Sequence, residues 1–354
     1  MTTTARCVVN MRLRPADVPA PAGPDVQRFH AGMGGYRPTP LRAVDGVDIK
    51  DESDRFGLPA FKFLGASWAI EQLVRNDPSI SALVTASAGN HGRAVGRAAA
   101  LRELDCRVLL PRTISDRRAE LISAEGAEVI RVDGRYDDAV AAAEAEAAAP
   151  GVALVADTGT TTSAHWVIDG YSTLFREAST QAVAPHDLIV VPIGVGSLAA
   201  AAIRFAAHAG PPATVVGVEP VTAACVGASL MAGRAVTIDT PGTSMTGMDC
   251  ATPSAAAWPT LRSGLAGIVT VSDEETWQAM RDLADRGVTA GECGAATVAA
   301  LRALRDDPRC APLRTAAGLS PRTRVLCVST EGATDPEAYA RIVGSRRRSP
   351  SGGG

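Results

Sequence analysis

The sequence predicts a two-domain α/β fold, with parallel sheets covered by helices, and three observations carry that reading. Short β-branched runs alternate with alanine-rich helical segments, the pattern of successive βαβ units. The chain is long, at 354 residues, and 46% hydrophobic with 34 glycines, which suits two cores and many tight turns. Glycine-rich turns stand directly between strands and helices at 87–92 and 194–197, where the ligand sites of such sheets collect.

Residues 1–28 carry Pro15, Pro19, Pro21 and Pro24 without periodicity, which predicts an N-terminal arm. Residues 83–86, 106–110, 128–132 and 152–156 read as strands, with helices near 115–124 and 136–149 between them. Further strands are expected at 188–192, 214–218, 268–271 and 324–328, again separated by helices. Residues 344–354 include Arg346, Arg347 and Arg348 and predict a solvated, flexible tail.

Composition excludes several classes. A net charge of −3 with no basic stripe offers no footprint for nucleic acid. The seven cysteines, at 7, 106, 225, 250, 293, 310 and 327, are odd in number and form no Cys-x-x-Cys pair. They predict reduced thiols, with no metal site and no disulfide framework. The N-terminus lacks a signal pattern and no apolar run reaches membrane length, so the expected location is cytoplasmic, without a membrane partner.

Chemistry concentrates in three segments. Lys62, one of only two lysines with Lys50, lies between Phe61 and Phe63 just before a predicted helix. Apolar walls strip hydration from an amine, so its pKa is expected to fall and free it as a nucleophile and proton carrier. Lysines beside aromatics also serve simply to lay their stems on a hydrophobic ledge. Ser87-Ala88-Gly89-Asn90-His91-Gly92 follows an apolar run and precedes a helix, so its backbone N–H groups and the helix N-terminus can receive an anion. Gly194-Val195-Gly196-Ser197 repeats that arrangement and reads as a phosphate cradle. The same residues also fit the dinucleotide fingerprint Gly-x-Gly-x-x-Ala, with Glu219 at the end of the next strand, but that fingerprint normally opens its own domain.

Together, the Lys62 segment and the Gly-Asn-His-Gly turn resemble the signature of pyridoxal phosphate enzymes of the tryptophan synthase β, threonine dehydratase and cysteine synthase type. Longer stretches are similar to diaminopropionate ammonia-lyase, including 37–41, 50–62, Asp157-Thr158, 247–254, 291–295 and 329–337. The resemblance runs in order from about Phe29 to Tyr339. It implies a fold type II architecture: a small domain at 82–183 inserted in a larger one made of 29–81 and 184–343, with pyridoxal 5'-phosphate between them and a homodimer as the assembly. Lys62 would carry the cofactor covalently and then take the α-proton of an amino-acid substrate. Asn90 would bond the phenolic oxygen, and Gly194, Val195, Gly196 and Ser197 would hold the phosphate. Ser329, with Thr330 beside it, would face the pyridine nitrogen. Ser87, Gly89 and His91 belong to the turn that would bind the substrate carboxylate.

Two departures from the family pattern stand out. The family aspartate before Gly-Asn-His-Gly is Ala88 here, and the residues after Asp157 have become Gly159-Thr160-Thr161-Thr162-Ser163. Asp157 matches the second family acid, although Asp-Thr also caps turns. The expected activity is α,β-elimination of a β-substituted L-alanine, foremost 2,3-diaminopropionate, to pyruvate and ammonia. β-Replacement on a different β-substituted alanine is the alternative. A non-catalytic scaffold is disfavoured by the intact Lys62, Asn90 and phosphate turn.

Overall fold

The computed structural model describes residues 5–344, and the expected basic tail lies outside them apart from Gly344. Eleven strands form two sheets. They are β1 Cys7–Val9, β2 Leu41–Val44, β3 Val47–Asp51, β4 Ala82–Ala86, β5 Asp105–Pro111, β6 Glu128–Val132, β7 Val152–Leu154, β8 Leu188–Pro192, β9 Thr214–Pro220, β10 Gly267–Val271 and β11 Val325–Ser329. The seven-stranded sheet runs β1-β10-β9-β8-β11-β3-β2 and the four-stranded sheet β6-β5-β4-β7. Only the edge pairs β1/β10 and β2/β3 are antiparallel. The strands β8, β10 and β11 are buried at every position, as expected of parallel strands covered by helices on both faces.

Both sheets reverse their strand order at one place. In the smaller sheet β4 pairs with β5 on one side and β7 on the other. In the larger, β8 pairs with β9 and with β11. Crevices open beyond the carboxyl ends of strands at such switch points. The four strands concerned end at the Ser87 turn, at Asp157, at the Gly194 turn and at Ser329.

Two features escaped the sequence reading. Within the expected N-terminal arm, Cys7–Val9 pairs with β10, and Cys7 is joined to Cys310 by a disulfide across 303 residues. An odd cysteine count leaves room for one bridge, and only the fold brings these two distant positions together. The other five cysteines are free. The second feature is a buried ionic cluster beneath Lys62. Lys50 Nζ donates to Glu177 Oε2 at 2.8 Å and to the Thr39 carbonyl at 2.7 Å. Arg55 donates to Glu177 Oε1 at 2.8 Å and to Glu52 at 2.6 and 2.8 Å. None of the four charged residues is more than 2% exposed.

Among the described residues no helix is long and apolar enough to cross a membrane, and no group of three His, Cys, Asp or Glu is arranged for a metal ion. The disulfide anchors an edge strand of only three residues, so Cys7→Ser should lower stability by about 2–5 kcal/mol. Thermal unfolding with and without reductant measures this. An unchanged midpoint would mean that β1 holds without its covalent tie.

Candidate active site

Lys62 is placed by packing around it. It caps the helix Phe63–Asn76, whose first turns are fully buried, and the preceding Phe61 N–H bonds the Thr330 carbonyl. That helix crosses the helix Thr162–Gly170 at a glycine pair: a Cβ on Gly170 would collide with the Leu64 carbonyl, and one on Gly65 would lie 2.6 Å from the Tyr171 ring. Tyr171 is itself fully buried with its ring 4.7 Å from that of Phe61. Small residues therefore let two backbones approach and aim the lysine into the crevice.

The amine meets a carboxylate there. Lys62 Nζ donates to Asp157 Oδ2 at 2.9 Å, and His91 Nδ1 lies 3.9 Å from the same oxygen. Burial, the largest single effect, would depress the lysine pKa, as the sequence reading expected, but the Asp157 charge and hydrogen bond, with Tyr171 and Cys250, together outweigh it and the pKa is raised. Burial pushes Asp157 up in turn, and the charges of His91 and Lys62 reverse that and hold it well below the usual carboxylate range. The pair is an ammonium and a carboxylate. His91 is lowered by burial, with Nε2 bonded to the Val155 carbonyl at 3.0 Å.

The other expected residues surround this pair. Ser197 Oγ donates to the Asp157 carbonyl at 3.0 Å, which brings the Gly194 turn against the end of β7. Gly196 is left-handed at φ +99°, and a Cβ there would lie 2.5 Å from Leu261. Gly194 has equally little room, with the Gly247 carbonyl 2.6 Å from where its Cβ would be. The turn can thus present its main chain, together with the first N–H groups of the helix Ser197–His208, to an anion. Val195 helps to fix the turn by accepting from Ser254 N–H at 2.8 Å. Ser87 and Gly89 lie at the end of β4, where the Gly89 N–H reaches Ser87 Oγ at 3.4 Å, and Ala88 is half-buried against the apolar core. Asn90 opens the helix Asn90–Ala100, and its amide nitrogen donates to Glu331 Oε2 at 2.8 Å. A cavity of about 270 Å³ borders Asp157 and is lined also by Tyr136, Thr158 and Thr160.

Glu219 does not serve a nucleotide. It is fully buried, and its two oxygens accept the Val226 and Gly227 N–H groups at 2.8 Å each. Burial pushes its carboxyl up to about 8. Its carboxyl is enclosed and turned to the helix Cys225–Ala232, so the dinucleotide reading of Gly194–Ala199 loses its acidic partner.

The residues present fit pyridoxal phosphate. Ser329 Oγ and Thr330 Oγ1 are buried without a hydrogen-bond partner, a costly state unless a ligand satisfies them. They stand beside an amine, an amide and an anion-receptive turn, which match a pyridine nitrogen, an aldehyde, a phenolic oxygen and a phosphate. Glu331 and Tyr171 had no assigned role in the sequence reading. Glu331 follows the hydroxyl pair Ser329-Thr330, whereas nothing in the sequence around Tyr171 marks it, and only the fold shows Glu331 at Asn90 and Tyr171 against Phe61.

Comparison with known proteins followed the same lines. The sequence model of the family described as pyridoxal-phosphate dependent enzyme matches residues 33–333. Diaminopropionate ammonia-lyase from Escherichia coli strain K12 is 32% identical over 358 residues, covering 90% of each chain. A biosynthetic L-threonine dehydratase from Mycobacterium leprae is 30% identical over 86% of this chain and 70% of its own. The crystal structure of the E. coli ammonia-lyase, in complex with an aminoacrylate-PLP azomethine reaction intermediate, superposes with a TM-score of 0.86. It is 29% identical and covers 96% of this chain and 97% of its own.

The turn generates a direct test. Gly196→Leu imposes both a strained φ and a clash with Leu261, so affinity for pyridoxal phosphate should fall by about tenfold or more. Titration of cofactor-free protein measures it, and unchanged affinity would remove the turn from the phosphate site.

Proposed function

The chain belongs to the pyridoxal-phosphate dependent enzymes, as a β-elimination enzyme of the diaminopropionate ammonia-lyase and threonine dehydratase group, and we propose that its substrate is L-2,3-diaminopropionate, converted to pyruvate and ammonia. The observation that carries this is the half-buried Lys62–Asp157 pair, an amine and an acid 2.9 Å apart at the mouth of the crevice. Pyridoxal phosphate, when bound, supplies the electron sink that lets an amino acid lose its α-proton and β-substituent.

The protein's own groups then divide the work. Lys62 is the attachment point and the base for the α-proton. The Gly194–Ser197 turn would hold the phosphate, Asn90 the phenolic oxygen, and Ser329 with Thr330 the ring nitrogen. A hydroxyl in that place supplies no charge to pair with a protonated ring, which would suit elimination. The Ser87–His91 turn receives the substrate carboxylate.

Asp157 is the proton donor to the departing amine. Its low pKa depends on the charges of Lys62 and His91, while burial pulls the other way. Any event that neutralises Lys62 therefore lifts Asp157 and lets Oδ2 hold a proton. Amines leave poorly without protonation, whereas chloride needs none. Asp157→Asn should accordingly lower kcat with diaminopropionate by about 10²- to 10⁴-fold while β-chloroalanine loses much less. An equal loss with both substrates would make Asp157 a structural residue.

Ala88 sets the stereochemistry. It carries no base where the family has an aspartate, so a D-amino acid would meet only Asp157 on that face. Pyruvate formation, followed by coupled lactate dehydrogenase, should strongly favour L- over D-2,3-diaminopropionate. Absence of pyruvate with the L-isomer would overturn the substrate assignment, and equal kcat/KM for the two isomers would overturn the role given to Ala88.

A further inference from the structure

We propose that Glu331 is a positioning residue that fixes which end of the Asn90 amide faces the cofactor. The inference rests on the reading of Asn90 given above and adds a residue to it. Glu331 is buried, and both of its carboxylate oxygens accept hydrogen bonds. Asn90 Nδ2 reaches Oε2 at 2.8 Å, and the Cys293 backbone N–H reaches Oε1 at 3.2 Å.

An amide side chain is nearly symmetric in shape, so packing alone cannot choose between its oxygen and its nitrogen. A carboxylate can choose, because it only accepts. With Glu331 on one side, Asn90 must direct an N–H there, and its second N–H is carried on the same nitrogen at a fixed angle. The phenolic oxygen of pyridoxal phosphate is an acceptor and needs that N–H. The choice of a carboxylate at residue 331 thus dictates a donor at residue 90.

The carboxylate is also rigidly seated. The Glu331 carbonyl accepts the Gly291 N–H at 2.9 Å, and its strand-like bridge to Ala60 ties it to the segment that carries Lys62. A Cβ on Gly291 would lie 2.9 Å from Glu331 Cγ, so the seat exists only because residue 291 is glycine. Its donor Cys293 lies in the first turn of the helix Glu292–Asp306; burial raises the Glu331 carboxyl above its ordinary value, and the Cys293 and Asn90 donors, the Lys62 charge and the helix end oppose that rise. Ser329, Thr330 and Glu331 are consecutive, so the strand end that meets one edge of the ring also controls the group at another.

Glu331→Gln tests this with a nearly isosteric change. A glutamine has one accepting end, and the immobile Cys293 N–H claims it, so the NH₂ end turns to Asn90 and forces the amide to reverse. Holoenzyme of Glu331→Gln should show a displaced visible absorption band and about tenfold weaker cofactor binding. Asn90→Ala should do the same, and the Glu331→Gln/Asn90→Ala double variant should be no worse than the single ones, since both act through one amide. A purely structural role would lower the unfolding midpoint of cofactor-free protein without moving the band. Unchanged spectrum and affinity in Glu331→Gln, or additive effects in the double variant, would overturn the proposal. Unchanged values in Asn90→Ala would overturn the Asn90 reading and the proposal with it. If Glu331→Gln does not fold, Glu331→Asp serves: one methylene shorter and held by the Cys293 N–H, it withdraws its acceptor from Asn90 and should move the band toward that of Asn90→Ala, whereas an unchanged band would overturn the proposal.

Discussion

Four buried charges hold the segment that leads to Lys62 in place. Lys50 and Arg55 face Glu52 and Glu177, two cations against two anions, with Tyr36 Oη donating to Glu177 at 2.8 Å. The cluster is electrically closed, so nothing in it needs water. Removing one member would leave an uncompensated charge, a loss of about 3–5 kcal/mol. It fastens β3 and the turn after it to the helix Ser172–Gln181, and the chain leaves it through Arg55 and Leu58 toward Lys62. His30 lies alongside, neutral because burial holds it down to about 3, and bonds both Thr173 and the Leu64 carbonyl. The segment that presents the active amine is thus set from below by charge and from the side by packing.

Above that base the crevice is made by the absence of side chains. Gly65 and Gly170 let two helices touch, Gly194 and Gly196 expose a turn, Gly291 seats a carboxylate, and Gly294 lets a helix start beside the Ser329 hydroxyl, which a Cβ there would approach to 2.6 Å. Each glycine lets one polar group reach a common volume. Electrostatics then sets protonation within it: the same burial that would neutralise Lys62 and Asp157 separately makes their mutual attraction strong, and the attraction wins.

Much of this was legible in the sequence. Strands with β-branched runs, such as 128–132 and 188–192, were found at their observed bounds, the first half-buried at a sheet edge and the second buried on both faces. The turns at Ser87 and Gly194 were legible for the same reason that they matter: glycine between a strand and a helix has few other uses. The edge strands β1 and β2, and β3 beside β2, were not found. β1 and β2 are short, and β3 carries Asp48, Lys50 and Asp51, since an edge or a buried ionic cluster tolerates residues that a central strand excludes. The raised pKa of Lys62 was invisible because its cause, Asp157, is 95 residues away. Glu331 stood in a segment that carried a resemblance, yet its meaning lies in the direction of an amide hydrogen, which no one-dimensional pattern records.

The scarcity of lysine has a consequence for the loading of the protein. Pyridoxal phosphate is a reactive aldehyde and condenses with any accessible side-chain amine. Of 35 basic residues only Lys50 and Lys62 carry one; Lys50 is wholly enclosed by its carboxylate and carbonyl partners, while every other cation is an arginine guanidinium. The exterior therefore offers the free aldehyde no decoy on its side chains. Adventitious decoration is suppressed by composition, and the stoichiometry of covalent capture by side chains is set at one per chain before any affinity is considered.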